Sequence, residues 1–244
     1  MPAKSVQSTY GDKIYEGKAK ILYRGPKDTI LHYFKDSATA FNAQKKAEFD
    51  GKGQMNLKIS VLLFDYLKMH GIESHLIKQI DDRTFESLSL KMIPAEVVVR
   101  NRVAGSLAKR LGEDEGAILN PPTVEFYLKD DAKGDPLVSE DLMVSLFHQK
   151  REDLLRMREL ALKINSALLV LFQKAKLNLI DFKLEFGKTP GGKILLADEI
   201  SPDCCRLWDM ATGEKLDKDR FRHDLGDLMT GYQIVYDRLI EALK

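Results

Sequence analysis

Apolar and charged residues alternate along residues 179–187, LIDFKLEFG. Asp181, Lys183 and Glu185 occupy every second position, and apolar residues fill most of the positions between and around them. Successive side chains of a β-strand point to opposite faces, so the three charged groups would share one face and the apolar residues the other. The pattern therefore predicts a strand with one apolar face and one face that carries two carboxylates around an ammonium group.

Strand patterns also fill the N-terminal third of the chain. Residues 13–35 contain apolar, β-prone runs separated by the turn sequences EGKA and GPKD, and residues 74–99 return to the strand pattern. Pro94 interrupts this second region. Because proline cannot donate to a β-ladder, Pro94 is expected to mark an edge, a crossover or the start of a new segment.

Helical patterns dominate the rest of the chain. Apolar residues recur at helical spacing over residues 51–71, after a predicted polar loop over residues 34–53. Residues 120–137 are rich in proline, glycine and charge, which predicts a loop around one short strand. Further helices are predicted to start near Ser106, to cover 139–149 and 150–177, and to end the chain with a face formed by Leu225, Leu228, Tyr232, Val235 and Leu239.

A single β-hairpin lies within this helical part. Residues 179–187 would pair with residues 193–200 through the turn KTPGG. The whole pattern predicts a β-rich N-terminal part, residues 1–93, and a helix-rich remainder, residues 94–244, with the boundary near Pro94. The two parts are expected to share one structural unit, because no long linker separates them.

Composition excludes several classes of protein. Of the 244 residues 44% are apolar and 31% are charged, as in an ordinary soluble globular protein. The formal charge of +1 provides no overall field that would favour nucleic acid or a membrane surface, so neither is expected as a partner. Any recognition of anions must therefore come from local clusters of basic residues.

Cysteine, histidine and the N-terminal segment refine this picture. Cys204 and Cys205 are adjacent, which strains a disulfide, so they are interpreted as reduced thiols of a cytoplasmic protein. The five histidines lack the spacing of a zinc site. Residues 1–20 have no apolar core, so no signal peptide is expected, and the apolar run 167–172 is too short to span a bilayer.

Acidic residues follow the second strand of the hairpin. The segment LADEISPD contains Asp198, Glu199 and Asp203. If the strands pair as predicted, Asp198 lies across from the charged face, and Glu185 and Asp198 form an oxygen pair suited to Mg²⁺. The alternative is a solvated strand with cross-strand ion pairs. The pattern alone leaves both interpretations open.

Two segments are candidates for binding phosphate. Lys18 and Lys20 lie in the turn EGKAK, which could cover a nucleotide, although many surface hairpins share this composition. In VVVRNRVAGS, Arg100 follows a strand and Ser106 begins a helix, and a guanidinium, a hydroxyl and free helix N–H groups together can bind phosphate. Arg102 in the same segment is as readily a surface residue or an ion-pair partner, and Arg206 is a third arginine that the fold could bring to the same place.

Several segments together resemble one family. MIPAEVVVRNRVAGS and LIDFKLEFG are similar to the two signature segments of the phosphoribosylaminoimidazole-succinocarboxamide synthase (SAICAR synthetase) family. YEGKAKILY, KDSATAFN, KKAEFDGKGQMN and LADEISPDCCRLWD resemble that family in the same order, so the likeness runs from about residue 13 to the last helix.

The resemblance implies an ATP-dependent ligase of purine biosynthesis. Such an enzyme joins L-aspartate to the carboxylate of 5-amino-1-(5-phosphoribosyl)imidazole-4-carboxylate (CAIR) through an acyl phosphate, and releases the succinocarboxamide SAICAR, ADP and phosphate. It further implies a two-lobed α+β fold, with an antiparallel β-lobe over a mixed α/β lobe and ATP in the cleft, as in protein kinases and ATP-grasp enzymes. ATP and Mg²⁺ are the implied cofactors, and a cytoplasmic homodimer is the implied assembly.

The resemblance also implies roles for individual residues. The residues assigned to ATP are Lys18, Ala19, Lys20, Lys91, Met92 and Lys129. Those assigned to the substrates are Arg100, Ser106, Arg206, Asp36 and Asp135. Glu185 and Asp198 are assigned to Mg²⁺. The catalytic candidates are Asp181, Lys183 and Asp203.

Two other functions would use the same residues. A small-molecule kinase would phosphorylate its acceptor and stop, so it would release ADP without an amine substrate. A non-catalytic nucleotide sensor would bind ATP tightly without turnover.

Overall fold

The computed structural model describes residues 10–40 and 44–244. Residues 1–9, part of the segment expected to lack a signal peptide, and residues 41–43, which include the last two residues of KDSATAFN, lie outside the described residues. The strands are β1 (Lys13–Glu16), β2 (Lys20–Arg24), β3 (Ile30–Phe34), β4 (Ser37–Ala40), β5 (Lys45–Glu48), β6 (Leu76–Gln79), β7 (Thr84–Ser87), β8 (Lys91–Arg102), β9 (Ile118–Leu128), β10 (Leu137–Val138), β11 (Leu177–Lys188), β12 (Ile194–Ala197) and β13 (Cys205–Asp209). The helices are α1 (Lys52–Met69), α2 (Ser106–Leu111), α3 (Glu140–Ser145), α4 (Arg151–Lys174), α5 (Asp219–Arg222) and α6 (Leu228–Ala242).

The first antiparallel sheet has the strand order β1-β2-β3-β7-β6. Its inner face packs on α1 through an aromatic group in which Phe85 of β7 lies 5.6 Å from Phe34 and 6.4 Å from Phe64, measured between ring centroids. All three rings are almost fully buried, so this contact joins the sheet to the main hydrophobic core. The strands predicted over residues 13–35 and the helix predicted over 51–71 are both confirmed.

The second antiparallel sheet has the order β10-β9-β8-β11-β12, and β13 also pairs with β11. Along β11, Asp181 pairs with Arg100 of β8 on one side and with Arg206 of β13 on the other. Further along, Glu185 pairs with Glu96 of β8 and with Ala197 of β12. β11 is therefore the strand whose charged residues pair with charged residues of β8 and β13, and its Glu185 also lies beside the end of β12. α4 covers the opposite, apolar face with buried residues that include Leu154, Met157, Ile164 and Leu168.

Two segments that were predicted to be mainly loop contain strands. Residues 34–53 include β4 and β5, which pair with each other as a two-stranded ribbon. Residues 118–128 form β9, an 11-residue strand. Pro121 and Pro122 lie in its first half, whereas β10 pairs only with Phe126 and Tyr127 near its end. On the other edge, the pairing with β8 passes from Ile118 directly to Thr123, so the prolines lie in an irregular stretch of that ladder as well. Neither missing N–H group therefore costs a ladder bond.

Pro94 lies inside β8 and not at an edge or crossover, so that expectation was wrong. β8 advances four residues, from Met92 to Glu96, while the paired β11 advances only two, from Gly187 to Glu185. The extra residues form a bulge, which accommodates a proline in a central strand. β8 also begins before residue 93, so the predicted division into residues 1–93 and 94–244 falls within a strand. The division into lobes stays a prediction.

The C-terminal helix begins later than its pattern predicted. Leu228, Tyr232, Val235 and Leu239 form the buried face of α6, whereas Leu225 precedes the helix and is exposed. Asp227 is the N-cap, and its carboxylate accepts a hydrogen bond from the Thr230 amide at 2.8 Å. Within residues 10–40 and 44–244, no helix is both long and apolar enough to cross a membrane.

Candidate active site

Both main sheets contribute to one cavity of about 730 Å³. Cavities of this size are typical of small-molecule sites. The sequence-predicted residues that line it are Lys18, Ala19, Lys20, Met92, Lys129, Asp135, Asp181, Lys183, Glu185, Asp198, Asp203 and Arg206. Those that do not line it are Asp36, Lys91, Arg100 and Ser106.

One part of the cavity wall is apolar. Leu22 and Ile30 line it from the first sheet, and Leu88 and Leu90 line it from the connection between β7 and β8. A Cβ atom on Gly187 would lie 2.7 Å from the Cβ of Leu90, so the close approach of β11 to this connection requires glycine. The adenine contact was expected around Lys91 and Met92. That contact was expected through the backbone, and it stays a prediction. Residues 87–90 and Met92 line the cavity wall, and the Lys91 side chain is exposed.

The turn between β1 and β2 carries Lys18 and Lys20 over the cavity. The Gly17 amide donates to the Lys20 carbonyl at 2.8 Å and closes the turn. The Lys20 ammonium reaches the second half of the chain, where it binds Glu199 at 2.9 Å and also binds Asp198. Burial opposes the charge on Lys20, but Asp198 and Glu199 outweigh it and raise the pKa of Lys20. The turn is therefore not an ordinary surface hairpin.

Three lysines and four acids form what we call the lysine–carboxylate cluster. Lys183 donates to Glu96 at 2.6 Å and to Glu185 at 3.2 Å, and Lys129 also binds Glu185. The cluster consists of Lys20, Lys129, Lys183, Glu96, Glu185, Asp198 and Glu199. Burial raises the pKa of Asp198, but the nearby Lys20 and Lys183 charges outweigh it and hold that pKa below its usual range.

Asp198 follows β12 directly and adopts a left-handed backbone, with φ of 61°. Because Ala197 pairs with Glu185, Asp198 lies one residue beyond the carboxylate with which it was predicted to form an oxygen pair. Among the described residues, no group of three or more histidine, cysteine or acidic side chains could hold a metal ion by itself. Glu185 and Asp198 alone would not enclose a metal ion. Two carboxylates nevertheless fit Mg²⁺, which takes one or two carboxylates from the protein and completes its coordination shell with phosphates and water.

Arg100, Ser106 and Arg206 converge, as the sequence suggested, but they converge on Asp181. The Arg100 Nη1 atom lies 2.7 Å from Asp181, its Nη2 atom lies 3.1 Å from the Ser106 hydroxyl, and Arg206 Nη1 lies 2.9 Å from Asp181. Arg100 also binds Glu125 at 2.6 Å, and its side chain is almost fully buried. Of these three residues only Arg206 lines the cavity, whereas Arg100 is buried and Ser106 is exposed and reaches Asp181 only through Arg100.

Asp219 joins Arg206 to a second cavity arginine, Arg222. Asp219 accepts from Arg206 Nε at 2.9 Å and from Arg222 Nη1 at 2.6 Å. Burial opposes ionisation of Asp219, but the two guanidinium groups lower its pKa to about 2. The Gly105 backbone packs closely against the same arginine, since a Cβ atom added at this glycine would lie only 2.3 Å from Arg206 Nη2. Backbone and carboxylate together therefore fix the position of Arg206.

Asp203 has both oxygens occupied at the cavity wall. Its Oδ2 atom lies 2.6 Å from the Lys52 ammonium, and its Oδ1 atom accepts from the Tyr232 hydroxyl at 2.5 Å. The Lys218 ammonium lies 3.6 Å from the same carboxylate. Burial opposes the charge on Asp203, but Lys218 and Lys52 lower its pKa below the usual range. This arrangement ties α1 and α6 to the loop that precedes β13.

Asp36 is not at the cavity, contrary to its assignment to the substrate. Its carboxylate binds the Arg83 guanidinium through both oxygens, at 2.7 and 2.8 Å, and accepts from the Gly53 amide at 2.9 Å. It thereby satisfies a free N–H group in the first turn of α1. Asp135, by contrast, lines the cavity, and its carboxylate accepts from the Asp130 amide at 2.9 Å.

Sequence reasoning missed several residues of the cavity wall. These are Glu96, His32, His75, Lys218 and Arg222, and Glu199 was noted among the acids after the hairpin but was given no role. Glu96 faces Glu185 across β8 and β11, so correct pairing of these strands would have found it. The histidines were considered only as zinc ligands. Lys218 and Arg222 reach the cavity from α5 and the residue before it, and no motif marks that segment.

Comparison with known proteins gives one consistent family. The SAICAR synthetase family model matches residues 13–239. A phosphoribosylaminoimidazole-succinocarboxamide synthase of Persephonella marina is 51% identical over 229 residues, which cover 93% of this chain and 96% of the relative. The enzyme of the same name from Halalkalibacterium halodurans is 50% identical over 229 residues, with 93% and 97% coverage.

Solved structures agree with this result. The phosphoribosylaminoimidazole-succinocarboxamide synthase of Ehrlichia chaffeensis superposes with a TM-score of 0.91 at 42% identity, covering 93% of this chain and 98% of that one. A SAICAR synthetase in complex with ADP superposes with a TM-score of 0.87 at 46% identity, covering 92% and 96%. The expected α+β fold is confirmed by these structures and by the two antiparallel sheets with their helices.

Proposed function

Because this chain belongs to the SAICAR synthetase family, we infer that it is an ATP-dependent ligase of purine biosynthesis. It joins L-aspartate to CAIR and produces SAICAR, ADP and phosphate. One observation carries this conclusion at the site: a single cavity combines an apolar wall, a lysine turn, a carboxylate pair and a fixed arginine. A small-molecule kinase or a nucleotide sensor would also use the nucleotide part of this cavity, but neither alternative agrees with membership of the SAICAR synthetase family.

The reaction needs ATP because a carboxylate resists attack by an amine. In the proposed first step, the bond from the γ-phosphorus to ADP breaks, and a new bond joins that phosphorus to a carboxylate oxygen of CAIR. The aspartate nitrogen then forms a bond to the carbonyl carbon and loses a proton. The carbon–oxygen bond breaks, and phosphate leaves with that oxygen. Positioning and charge neutralisation are the main contributions of the protein to such a transfer.

We propose that adenine lies against the apolar wall formed by Leu22, Ile30, Leu88 and Leu90. The complex of a family member with ADP supports nucleotide binding. Lys18 and Lys20 belong to the turn above the lysine–carboxylate cluster, so they are proposed to cover the phosphates. Backbone amides in such a turn and ammonium groups are both suited to phosphate oxygens.

Glu185 and Asp198 are the proposed ligands of Mg²⁺. When bound, this ion would neutralise the charge that develops on the transferring phosphoryl group. The two carboxylates are paired with Lys129, Lys183 and Lys20, so these ammonium groups are already placed to turn toward phosphate oxygens. Lys183 and Asp181 are proposed to contact CAIR from the same face of β11.

Arg206 is the proposed ligand of the CAIR phosphate on the cavity wall. A guanidinium held by Asp181 and Asp219 keeps its remaining N–H groups in a fixed direction, which suits phosphate recognition. Arg100 and Ser106 are proposed to support this site through Asp181. Asp203 and Asp135 are proposed to line the part of the cavity that receives the substrates. A homodimer and a cytoplasmic location also belong to the proposal, because the family resemblance implies both.

A coupled ADP-release assay tests the activity. ADP should be released at a catalytic rate only when ATP, CAIR and L-aspartate are all present, and SAICAR should form in equal amount. Release of ADP with CAIR alone at the same rate would favour the kinase. Nucleotide binding without turnover under all conditions would favour the sensor.

Oxygen labelling tests the acyl phosphate. CAIR labelled with ¹⁸O in its carboxylate should transfer one labelled oxygen to each phosphate released, because the carbon–oxygen bond breaks when the amine attacks. An ATPase that runs beside an unassisted condensation would take that oxygen from water. Mass spectrometry that finds unlabelled phosphate in step with SAICAR would contradict the proposed mechanism.

A further inference from the structure

His75 connects three parts of the cavity. Its amide donates to the Leu196 carbonyl of β12 at 2.8 Å, and its carbonyl accepts from the Leu88 amide at 2.8 Å. Its ring atom Nε2 lies 3.1 Å from the carbonyl oxygen of Asp198. The residue thus touches the connection that forms the apolar wall and the turn that presents an acidic ligand.

The hydrogen bond from the ring has a defined direction. A carbonyl oxygen only accepts, so Nε2 must carry the proton and donate. Other rings surround His75 in edge-on contacts, with centroid distances of 5.1 Å to His32, 5.4 Å to Phe85 and 5.8 Å to Phe64. The donor therefore has one tautomer and one orientation.

Asp198 needs such a partner because of its backbone. Its φ of 61° lies in the left-handed region, which is uncommon for residues other than glycine and persists only where the surroundings hold it. Its carboxylate is held by Lys20, but that lysine is also proposed to bind ATP phosphates. The bond from His75 goes to the backbone, so it does not compete with any ligand of the carboxylate.

We propose that His75 is a positioning residue that holds the Asp198 turn, so that the Asp198 carboxylate points into the cavity ready to bind a divalent cation. The proposal rests on the cation role of Asp198 in the proposed function. Groups that orient a metal ligand, and do not touch the metal, commonly change metal affinity by about 10–100-fold. We expect His75 to act in this range.

Calorimetric titration of ADP measures the effect without turnover. Each protein is titrated once with Mg²⁺ and once with EDTA, and the ratio of the two affinities is the gain due to the cation. His75→Phe keeps an aromatic ring but removes the donor, and should lower this gain about tenfold or more. The affinity in EDTA should stay unchanged, because the donor does not contact the nucleotide.

A matched pair of amides separates positioning from packing. The side-chain amide of His75→Gln lies close to the position of Nε2 and should restore most of the gain. The amide of His75→Asn is one carbon shorter, lies near the position of Nδ1, and should behave like phenylalanine. This comparison holds even if the phenylalanine variant does not fold. His70→Phe is the control, because His70 is an exposed histidine at the C-terminal end of α1 that does not line the cavity, and its Nδ1 atom pairs with the Tyr66 carbonyl at 2.9 Å. Its gain should equal that of the wild type.

Asp198→Asn, measured in parallel, separates failure of this proposal from failure of the cation assignment. If Asp198→Asn keeps the full gain, the assignment of Asp198 as a cation ligand is wrong, and the inference falls with it. If Asp198→Asn loses the gain while His75→Phe and His75→Asn retain it, the assignment stands and the positioning role is overturned. A loss of thermal stability in the His75 variants with an unchanged ratio would likewise reduce His75 to a packing residue.

Discussion

Replacement of Lys52 should destabilise the protein strongly, because the Lys52 side chain is fully buried against Asp203. The ammonium lies 2.6 Å from Oδ2 of Asp203 and 3.3 Å from the Ser37 carbonyl, and the two charged side chains are 0% and 6% exposed. Removal of one partner of a buried ion pair costs about 3–5 kcal/mol, because the other charge stays buried. Tyr232 and Lys218 still face Asp203 in Lys52→Met, so we expect the lower end, about 3 kcal/mol.

The change is measurable by urea denaturation followed by circular dichroism. For a chain of this length, about 3 kcal/mol corresponds to a fall in Tm of roughly 6–12 °C. Lys68→Met is the control, because Lys68 lies on the same helix with its side chain in solvent, and it should change stability by less than about 0.5 kcal/mol. The double variant Lys52→Met, Asp203→Asn should lose less unfolding free energy than the two single variants lose together, and the difference is a coupling energy of about 0.5–3 kcal/mol.

The pH dependence gives an independent check. The folded pKa of Asp203 lies below its unfolded value, which is about 3.9 for an aspartate. The carboxylate therefore adds stability above that pH, and this contribution declines as the pH falls through the folded pKa. The difference between wild type and Lys52→Met should be full at pH 7 and shrink below about pH 4. Equal stability of Lys52→Met and Lys68→Met at pH 7 would refute the reasoning.

Three further variants test the assignments around the cavity. Gly105→Ala would place a methyl group against the Arg206 guanidinium, at a backbone φ of +55°. If Arg206 thereby loses one charge-assisted hydrogen bond to CAIR, about 1.5–3 kcal/mol, the KM for CAIR should rise roughly 10–150-fold while the ADP affinity stays unchanged. A normal KM for CAIR would contradict this expectation. Asp36→Ala should lower the stability by about 1–2 kcal/mol, because the Gly53 amide at the N-terminus of α1 loses its acceptor, while kcat and KM stay near the wild-type values. A large rise in the KM for CAIR would restore the assignment of Asp36 to the substrate. Glu185→Gln should nearly abolish turnover while the circular dichroism spectrum stays native, and near-normal activity at low Mg²⁺ would remove it from the cation site.

Local pattern was enough to predict the charged face of β11. The period of two over residues 179–187 is a strong signal, and the strand extends from Leu177 to Lys188. Lys183 and Glu185 lie on this face with their side chains in the lysine–carboxylate cluster. The ribbon of β4 and β5 gave a weaker signal, because SATA and KKAE contain few large apolar residues and pair only with each other. Ala38 and Ala40 of β4 are buried in the core, but such small side chains give only a weak apolar pattern in the sequence.

Pairs between distant parts of the chain lay beyond sequence reasoning. Lys20 and Asp198 are 178 residues apart, and Lys52 and Asp203 are 151 residues apart. From sequence alone, a lysine in the EGKAK turn is predicted to be a surface residue, because the carboxylate that it pairs with comes from a distant part of the chain. Arg100 shows the reverse, since its position after a strand suggested an exposed phosphate ligand, whereas the second sheet buries it among Asp181, Glu125 and Ser106.

The charge of the lysine–carboxylate cluster explains why its ligands should bind together. The cluster opposes four carboxylates to three ammonium groups, so it carries one negative charge in excess. That excess repels the phosphates of ATP when no cation is bound. A divalent cation held by Glu185 and Asp198, as proposed above, would reverse the sign of this charge. It would also release Lys20, Lys129 and Lys183 from these carboxylates, and their ammonium groups could then pair with phosphate oxygens. Each buried charge then exchanges one partner for another instead of losing it, which avoids the cost of an unpaired buried ion. Cation and nucleotide should therefore bind with positive coupling, and an ADP affinity that is equal in Mg²⁺ and in EDTA would contradict this account.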